Sequence, residues 1–104
     1  MSVLVQMAMF PTDISESKSE YVSKVIEVIK DSGYKYQLTS MCTIIETQEM
    51  SEALILIGNC YKVLEEAGCG RVYSTISFDI RPNHENRMLE KIKSVENYIG
   101  EVSK

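Results

Sequence analysis

Residues 71–81 read Arg-Val-Tyr-Ser-Thr-Ile-Ser-Phe-Asp-Ile-Arg, and they constrain the fold more than any other part of the chain. Val72, Ile76, Phe78 and Ile80 fall on one side, with Ser74 between them. Arg71, Tyr73, Thr75, Ser77, Asp79 and Arg81 fall on the other. A two-residue period is that of a strand. One apolar and one polar face belong to an antiparallel sheet that is packed on one side only. Pro82 ends the run, because proline brings no N–H to a ladder. Such a strand requires partner strands and a covering layer, and the remaining sequence offers both.

Val3 to Phe10 is a second strand. Val3, Val5, Met7 and Met9 share one face, and Leu4, Gln6, Ala8 and Phe10 share the other. Both faces are largely apolar, which suits a central strand, and Pro11 stops it. A helix follows. Ser17 and Glu20 have capping-box spacing, with Asp13 as a competing cap, and Tyr21, Val22, Val25, Ile26 and Ile29 recur at helical intervals. Gly33 ends it. Tyr34–Thr39 alternates as a strand, and Thr43–Glu46 is β-branched. Ser40-Met41-Cys42 between them reads as a tight hairpin connection, or the whole stretch 34–46 as one bent strand. A second helix is expected from about Glu49 to Ala67, with Met50, Ala53, Leu54, Ile57, Cys60, Tyr61 and Leu64 as its buried stripe, ended by Gly68 and Gly70. Asn83 is a candidate cap for a third helix with Met88, Leu89, Ile92, Val95 and Ile99 on its apolar side.

The order is therefore βα(ββ)αβα. This predicts an α+β fold, a ferredoxin-like βαββαβ sandwich with an additional C-terminal helix and a four-stranded antiparallel sheet. The 104 residues suit one domain spanning 1–104. A domain of this size cannot easily spare a large internal cavity, so a binding site is expected in a cleft or between subunits. One sheet face, carrying either Leu4, Ala8 and Phe10 or the valine and methionine set, is too apolar to leave in water. Self-association through it is expected.

Charge and cysteine usage exclude several classes. Fifteen acidic and eleven basic residues give a formal net charge of -4, and the two signs are interleaved. That argues against a nucleic-acid surface. Three cysteines (Cys42, Cys60 and Cys69) and the single His84 do not make a zinc finger. The cysteines read as free thiols in a reducing compartment. The N-terminus MSVLVQMAMFP lacks signal-peptide character, and no apolar stretch approaches the roughly 20 residues needed to span a bilayer. A cytoplasmic protein without membrane or nucleic-acid partners is expected.

Catalytic motifs are missing. His84 has no nucleophile near it in sequence and reads as solvent-facing at a helix start. Gly68-Cys69-Gly70-Arg71 resembles a phosphate loop, but it follows a helix C-terminus, where the dipole repels anions, so it reads as a C-cap turn. Two features remain. Thr39-Ser40-Met41-Cys42-Thr43-Ile44-Ile45-Glu46 gathers hydroxyls, a thioether and a carboxylate. Strand geometry sends Thr43 and Glu46 to opposite faces unless the chain bends or bulges. The plain alternative is that Glu46 begins a turn before the next helix. The polar row Arg71 to Arg81 is the second feature, and it suits a solvated or subunit-facing surface.

The ordered set of Pro11 after the first strand, Ser17 with Tyr21-Val22, Met41-x-Thr43-x-x-Glu46, Gly70-Arg71-Val72 and Asp79-x-Arg81 resembles the small thiamine-binding proteins, a YkoF-like group. That resemblance covers nearly the whole chain. It implies a ferredoxin-like fold, subunits paired through their sheets into dimers and often tetramers, and binding of thiamine or its hydroxymethylpyrimidine part without turnover. Thiamine would then be a bound ligand and not a catalytic cofactor, and no metal is implied. By position in the family the ligand-binding set is Thr43 and Glu46, then Met41 and Tyr21, with Thr39 and Ser40 beside them. Glu46 would pair with the amino group or the thiazolium cation. Thr39, Ser40 and Thr43 would donate or accept hydrogen bonds. Met41 would pack on a ring, and Tyr21 would offer an aromatic face or a hydroxyl. The family pattern carries a small residue where Cys42 stands and glycine where Thr47 stands. Two other classes stay open: a regulatory or scaffold module for another metabolite or a protein, and a small cofactor-free enzyme using Asp79, Glu46 or His84.

Overall fold

A computed structural model describes residues 1–15 and 18–104. Its elements run β1 (Ser2–Pro11), α1 (Lys18–Ser32), β2 (Lys35–Leu38), β3 (Thr43–Thr47), α2 (Met50–Glu66), β4 (Val72–Arg81) and α3 (Arg87–Ile99). The sheet order is β2-β3-β1-β4, with every neighbouring pair antiparallel. This is the ferredoxin-like arrangement with an additional C-terminal helix. Ser17, the expected cap of α1, lies outside the described residues.

The sheet has one packed face. Val3, Val5, Met7 and Met9 of β1 lie there with Ile45 of β3, against Val25 and Ile29 of α1 and Ala53, Leu56, Cys60 and Leu64 of α2. Register places Val3, Val5 and Met7 opposite Ile80, Phe78 and Ile76 of β4. Leu4, Gln6, Ala8 and Phe10 thus take the opposite, open face. On that face they meet Ile44 and Glu46 of β3 and Tyr73, Thr75, Ser77 and Asp79 of β4.

Several expectations are corrected. In α2, Leu54 and Tyr61 are exposed (55% and 44%) and Leu56 is buried instead. The stripe facing the sheet is 53-56-60-64, and residues 54 and 61 lie round the helix from it. In β4, Phe78 and Ile80 remain exposed at 38% and 44%, because β4 is an edge strand that the two packed helices do not reach across. Of the expected apolar stripe of α3 only Met88 and Ile92 are half-buried, while Leu89, Val95 and Ile99 are exposed, so this stripe covers the sheet with the first turns of the helix. Asn83 does not cap α3. The helix begins four residues later, and Asn83 and Asn86 both hold left-handed backbone (φ 66° and 54°) in the turn. Residues 34–46 form a hairpin and not one bent strand.

The turn after α2 is a C-cap. Gly68 takes φ 88°, and the N–H groups of Gly68 and Cys69 donate back to Glu65 and Leu64 at 3.0 and 3.1 Å. Asp13 is not the competing helix cap. Its Oδ2 accepts the Gly70 N–H at 2.8 Å and ties the β1–α1 turn to the start of β4. A Cβ on Gly70 would stand 2.7 Å from that oxygen. Gly70→Ala is therefore expected to cost about 1 kcal/mol, the net worth of one hydrogen bond, read as a fall in urea midpoint without a change in slope.

Candidate functional site

The expected site residues fall on two sides of the sheet. β3 pairs with β1 only from Val3↔Thr47 to Met7↔Thr43, whereas β4 follows β1 on to Pro11↔Val72. Among the described residues, β1 has no strand neighbour on its β3 side from Ala8 onward. The tip of the β2–β3 hairpin and α1 frame this gap. The resulting cleft, about 280 Å³, is lined by Met7 to Phe10, Val22, Val25, Ile26 and residues 38–43.

Thr39 builds the hairpin tip. Its Oγ1 accepts the N–H groups of Met41 and Cys42 at 3.3 and 3.1 Å and donates to the Cys42 carbonyl at 2.9 Å. The Thr39 N–H donates to the same carbonyl at 2.9 Å. One hydroxyl thereby replaces the Asn-Gly signal that such turns usually carry. This leaves Ser40 exposed and Met41 86% exposed at the rim. Thr43 is buried on the packed face, and its hydroxyl makes no hydrogen bond to another described residue. Tyr21 is half-buried against the core, one residue before the cleft-lining Val22. The structure therefore brings Thr39, Ser40, Met41 and Thr43 together, with Tyr21 nearby.

Glu46 stands apart, three residues along β3 and on the open face, roughly 10 Å from Thr43 by strand rise. Its carboxylate is fully engaged. Ser2 Oγ donates to Oε2 at 2.6 Å, the Arg87 N–H to Oε2 at 2.8 Å and the Met88 N–H to Oε1 at 3.2 Å. Glu46 thus serves as the N-terminal cap of α3, supplied from a distant strand. Burial pushes its pKa up, but the bonds from Ser2, Arg87 and Met88 and the Lys35 charge outweigh that and hold it below the usual value.

Arg87 completes this anchor. Sequence reasoning passed over it, since an arginine in a helix's first turn carries no local signal for burial. It is 3% exposed. Nε donates to Ser2 Oγ at 3.1 Å, and Nη2 donates to the Ser2 carbonyl at 2.9 Å and to the Asp79 carbonyl. Nη1 lies 3.0 Å from Asp79 Oδ2, an ion pair whose angle falls short of a hydrogen bond. Lys91 Nζ reaches the same oxygen at 3.0 Å. Lys91 and then Arg87 hold the Asp79 carboxyl below its ordinary range. The polar row of β4 is thus partly covered by α3.

Of the remaining candidates, His84 is exposed in the turn before α3, with Nδ1 3.1 Å from the Pro82 carbonyl. The three cysteines are free thiols. Burial pushes Cys60 up to about 11, so it stays protonated at neutral pH. Among the described residues no acidic, histidine and cysteine group is arranged to hold a metal, and no helix is long and apolar enough to cross a membrane.

The family model described as thiamine-binding protein matches residues 5–96. The chain belongs to that family. A UPF0045 protein of Mycobacterium bovis is 32% identical over 99 residues, covering 95% of this chain and 96% of its own. A UPF0045 protein of Methanocaldococcus jannaschii is 30% identical over 94 residues, covering 89% and 91%. A solved structure of a hypothetical protein from that archaeon superposes with a TM-score of 0.77 at 29% identity, over 90% of this chain and 95% of the other. A Thermotoga maritima structure, described as a candidate thiamine biosynthesis or salvage protein, gives a TM-score of 0.79 at 21% identity over 91% and 99%, a likeness of fold.

Proposed function

We propose that this member of the thiamine-binding family binds thiamine, or free hydroxymethylpyrimidine, in the hairpin cleft and releases it unchanged. The supporting observation is the cleft itself, where the unpaired edge of β1 beyond Met7 faces a hairpin tip that presents Ser40, Met41 and Thr43. A free strand edge supplies main-chain donors and acceptors, the Thr43 hydroxyl supplies both, and methionine sulfur packs well on an aromatic ring. Those are the needs of an aminopyrimidine. Among the described residues no carboxylate lines the cleft, so the cationic thiazolium of thiamine is assigned to its mouth. Thr39 shapes the turn, Tyr21 supports the α1 wall, and Glu46 contributes from the far side of the sheet by holding α3.

Thr43→Val keeps shape and volume while removing the hydroxyl. It is expected to weaken hydroxymethylpyrimidine binding about tenfold, the worth of one or two hydrogen bonds, with the melting temperature of the free protein unchanged or raised, since a buried unpaired hydroxyl is removed. Unchanged affinity in that variant, measured by calorimetry, would remove Thr43 from the site.

The proposal includes self-association through the end of the open face that α3 leaves uncovered. There Phe10 and Tyr73 form a tilted ring pair with centroids 5.9 Å apart, and Tyr73 is still 51% exposed. Light scattering at micromolar concentration is expected to report a dimer or tetramer. A monomer would contradict pairing of the sheets.

A further inference from the structure

We infer a second ligand site, distinct from the hairpin cleft, in the crevice between α3 and the open face of the sheet, suited to a flat, uncharged nitrogen heterocycle. The crevice holds about 390 Å³. Cross-strand register sets its floor: Gln37 lies opposite Ile44, Ile44 opposite Gln6, and Gln6 opposite Ser77. These four residues form one row across all four strands. Ile44 stands in the middle as an apolar platform with a primary amide on either side. Two strand spacings separate Gln37 from Gln6, about 9.5 Å. That leaves between the amides the width of one planar ring with a hydrogen bond at each edge. Met88 and Ile92 of α3 close the space from above.

The chemistry of the lining selects the ligand class. The side chains of Gln6, Gln37 and Ser77 make no hydrogen bond to another described residue, so their donors and acceptors are available. Each amide offers a donor and an acceptor side by side, the complement of an amidine-like or lactam-like ring edge. At the rim the one carboxylate, Asp79, is paired with both Arg87 and Lys91. A cation therefore finds no unpaired carboxylate there, and the row that makes the floor carries only neutral side chains. A ring between Ile44 and the Met88 thioether gains apolar contact on both faces. The anchoring of Arg87 and Glu46 fixes the roof above this floor, so the site is preformed.

The test uses the full chain and the free bases adenine and cytosine as probes. Side-chain amide signals of Gln6 and Gln37 and methyl signals of Ile44, Ile92 and Met88 are followed by NMR during titration. Saturable shifts confined to these groups are expected. The double substitution Gln6→Leu with Gln37→Leu should weaken binding at least about tenfold. Ser77→Ala, at an exposed position of the edge strand, should weaken it by a smaller factor. Thr43→Val should leave it unchanged. The signals of Thr39, Met41 and Thr43 report the hairpin cleft separately, so failure at one site is distinguishable from failure at the other. The inference is overturned if neither base shifts the crevice signals, if the double variant binds as tightly as the parent, or if the crevice proves to be filled by a second copy of the chain.

Discussion

Arg87→Ala is expected to destabilise this protein by about 3 kcal/mol, because each buried acceptor left without its donor costs about 1–3 kcal/mol. The guanidinium holds both the carbonyl and the hydroxyl of Ser2, and Ser2 is itself fully buried. Removing it leaves those acceptors without donors in a space that water does not readily fill. It also detaches the Asp79 carbonyl and side chain from α3. For a domain of this length the loss amounts to a fall in melting temperature of well over 10 °C, read by circular dichroism. Arg87→Lys keeps the charge but not the planar fork. It should retain one or two of the contacts and lose about 1–2 kcal/mol. If both variants melt within a few degrees of the parent, α3 is not anchored through Arg87.

Glu46 carries the second large effect, and it has a pH signature. Its pKa in the folded protein is lowered, so the carboxylate contributes stability in full above about pH 4.3, the ordinary glutamate value. That contribution is lost as the pH falls through the lowered folded value. Glu46→Ala is expected to cost about 2–3 kcal/mol at pH 7, since two helix N–H groups and the Ser2 hydroxyl lose a charged acceptor. Glu46→Gln should cost less at pH 7, because its amide oxygen still accepts. Its stability should also vary less between pH 7 and pH 3 than that of the parent. Asp79, held down by Lys91 and Arg87, also loses its contribution in acid, so the diagnostic quantity is the difference between parent and variant. A Glu46→Gln curve parallel to the parent curve would show that this carboxyl does not hold α3.

The fold was legible from period alone. The alternation of 71–81, the doubly apolar run 3–10 and three helical stripes leave little choice of architecture, because each face must be covered by something. Errors in detail have a common source. Leu54 and Tyr61 are as apolar as Leu56, and only the sheet's position tells which of them turns inward. Phe78 and Ile80 read as buried because period cannot distinguish an edge strand from a central one. The site was legible in part. The cluster 39–46 was visible as chemistry, and strand geometry already separated Thr43 from Glu46. What Glu46 does was not visible, since its partners Ser2, Arg87 and Met88 are 41 to 44 residues away in sequence. Asn83 concealed it, since a plausible local cap gives no reason to look for a distant one. Gln6 and Gln37 carried no signal, because only register makes them neighbours across Ile44.

The most direct test of the central claim is isothermal titration calorimetry of the purified protein with thiamine and with hydroxymethylpyrimidine. Saturable binding of at least one of them at a definite stoichiometry per chain is the predicted result. Absence of heat with both ligands, together with no shift in melting temperature, would contradict the proposed function while leaving the fold and the anchoring of α3 as described.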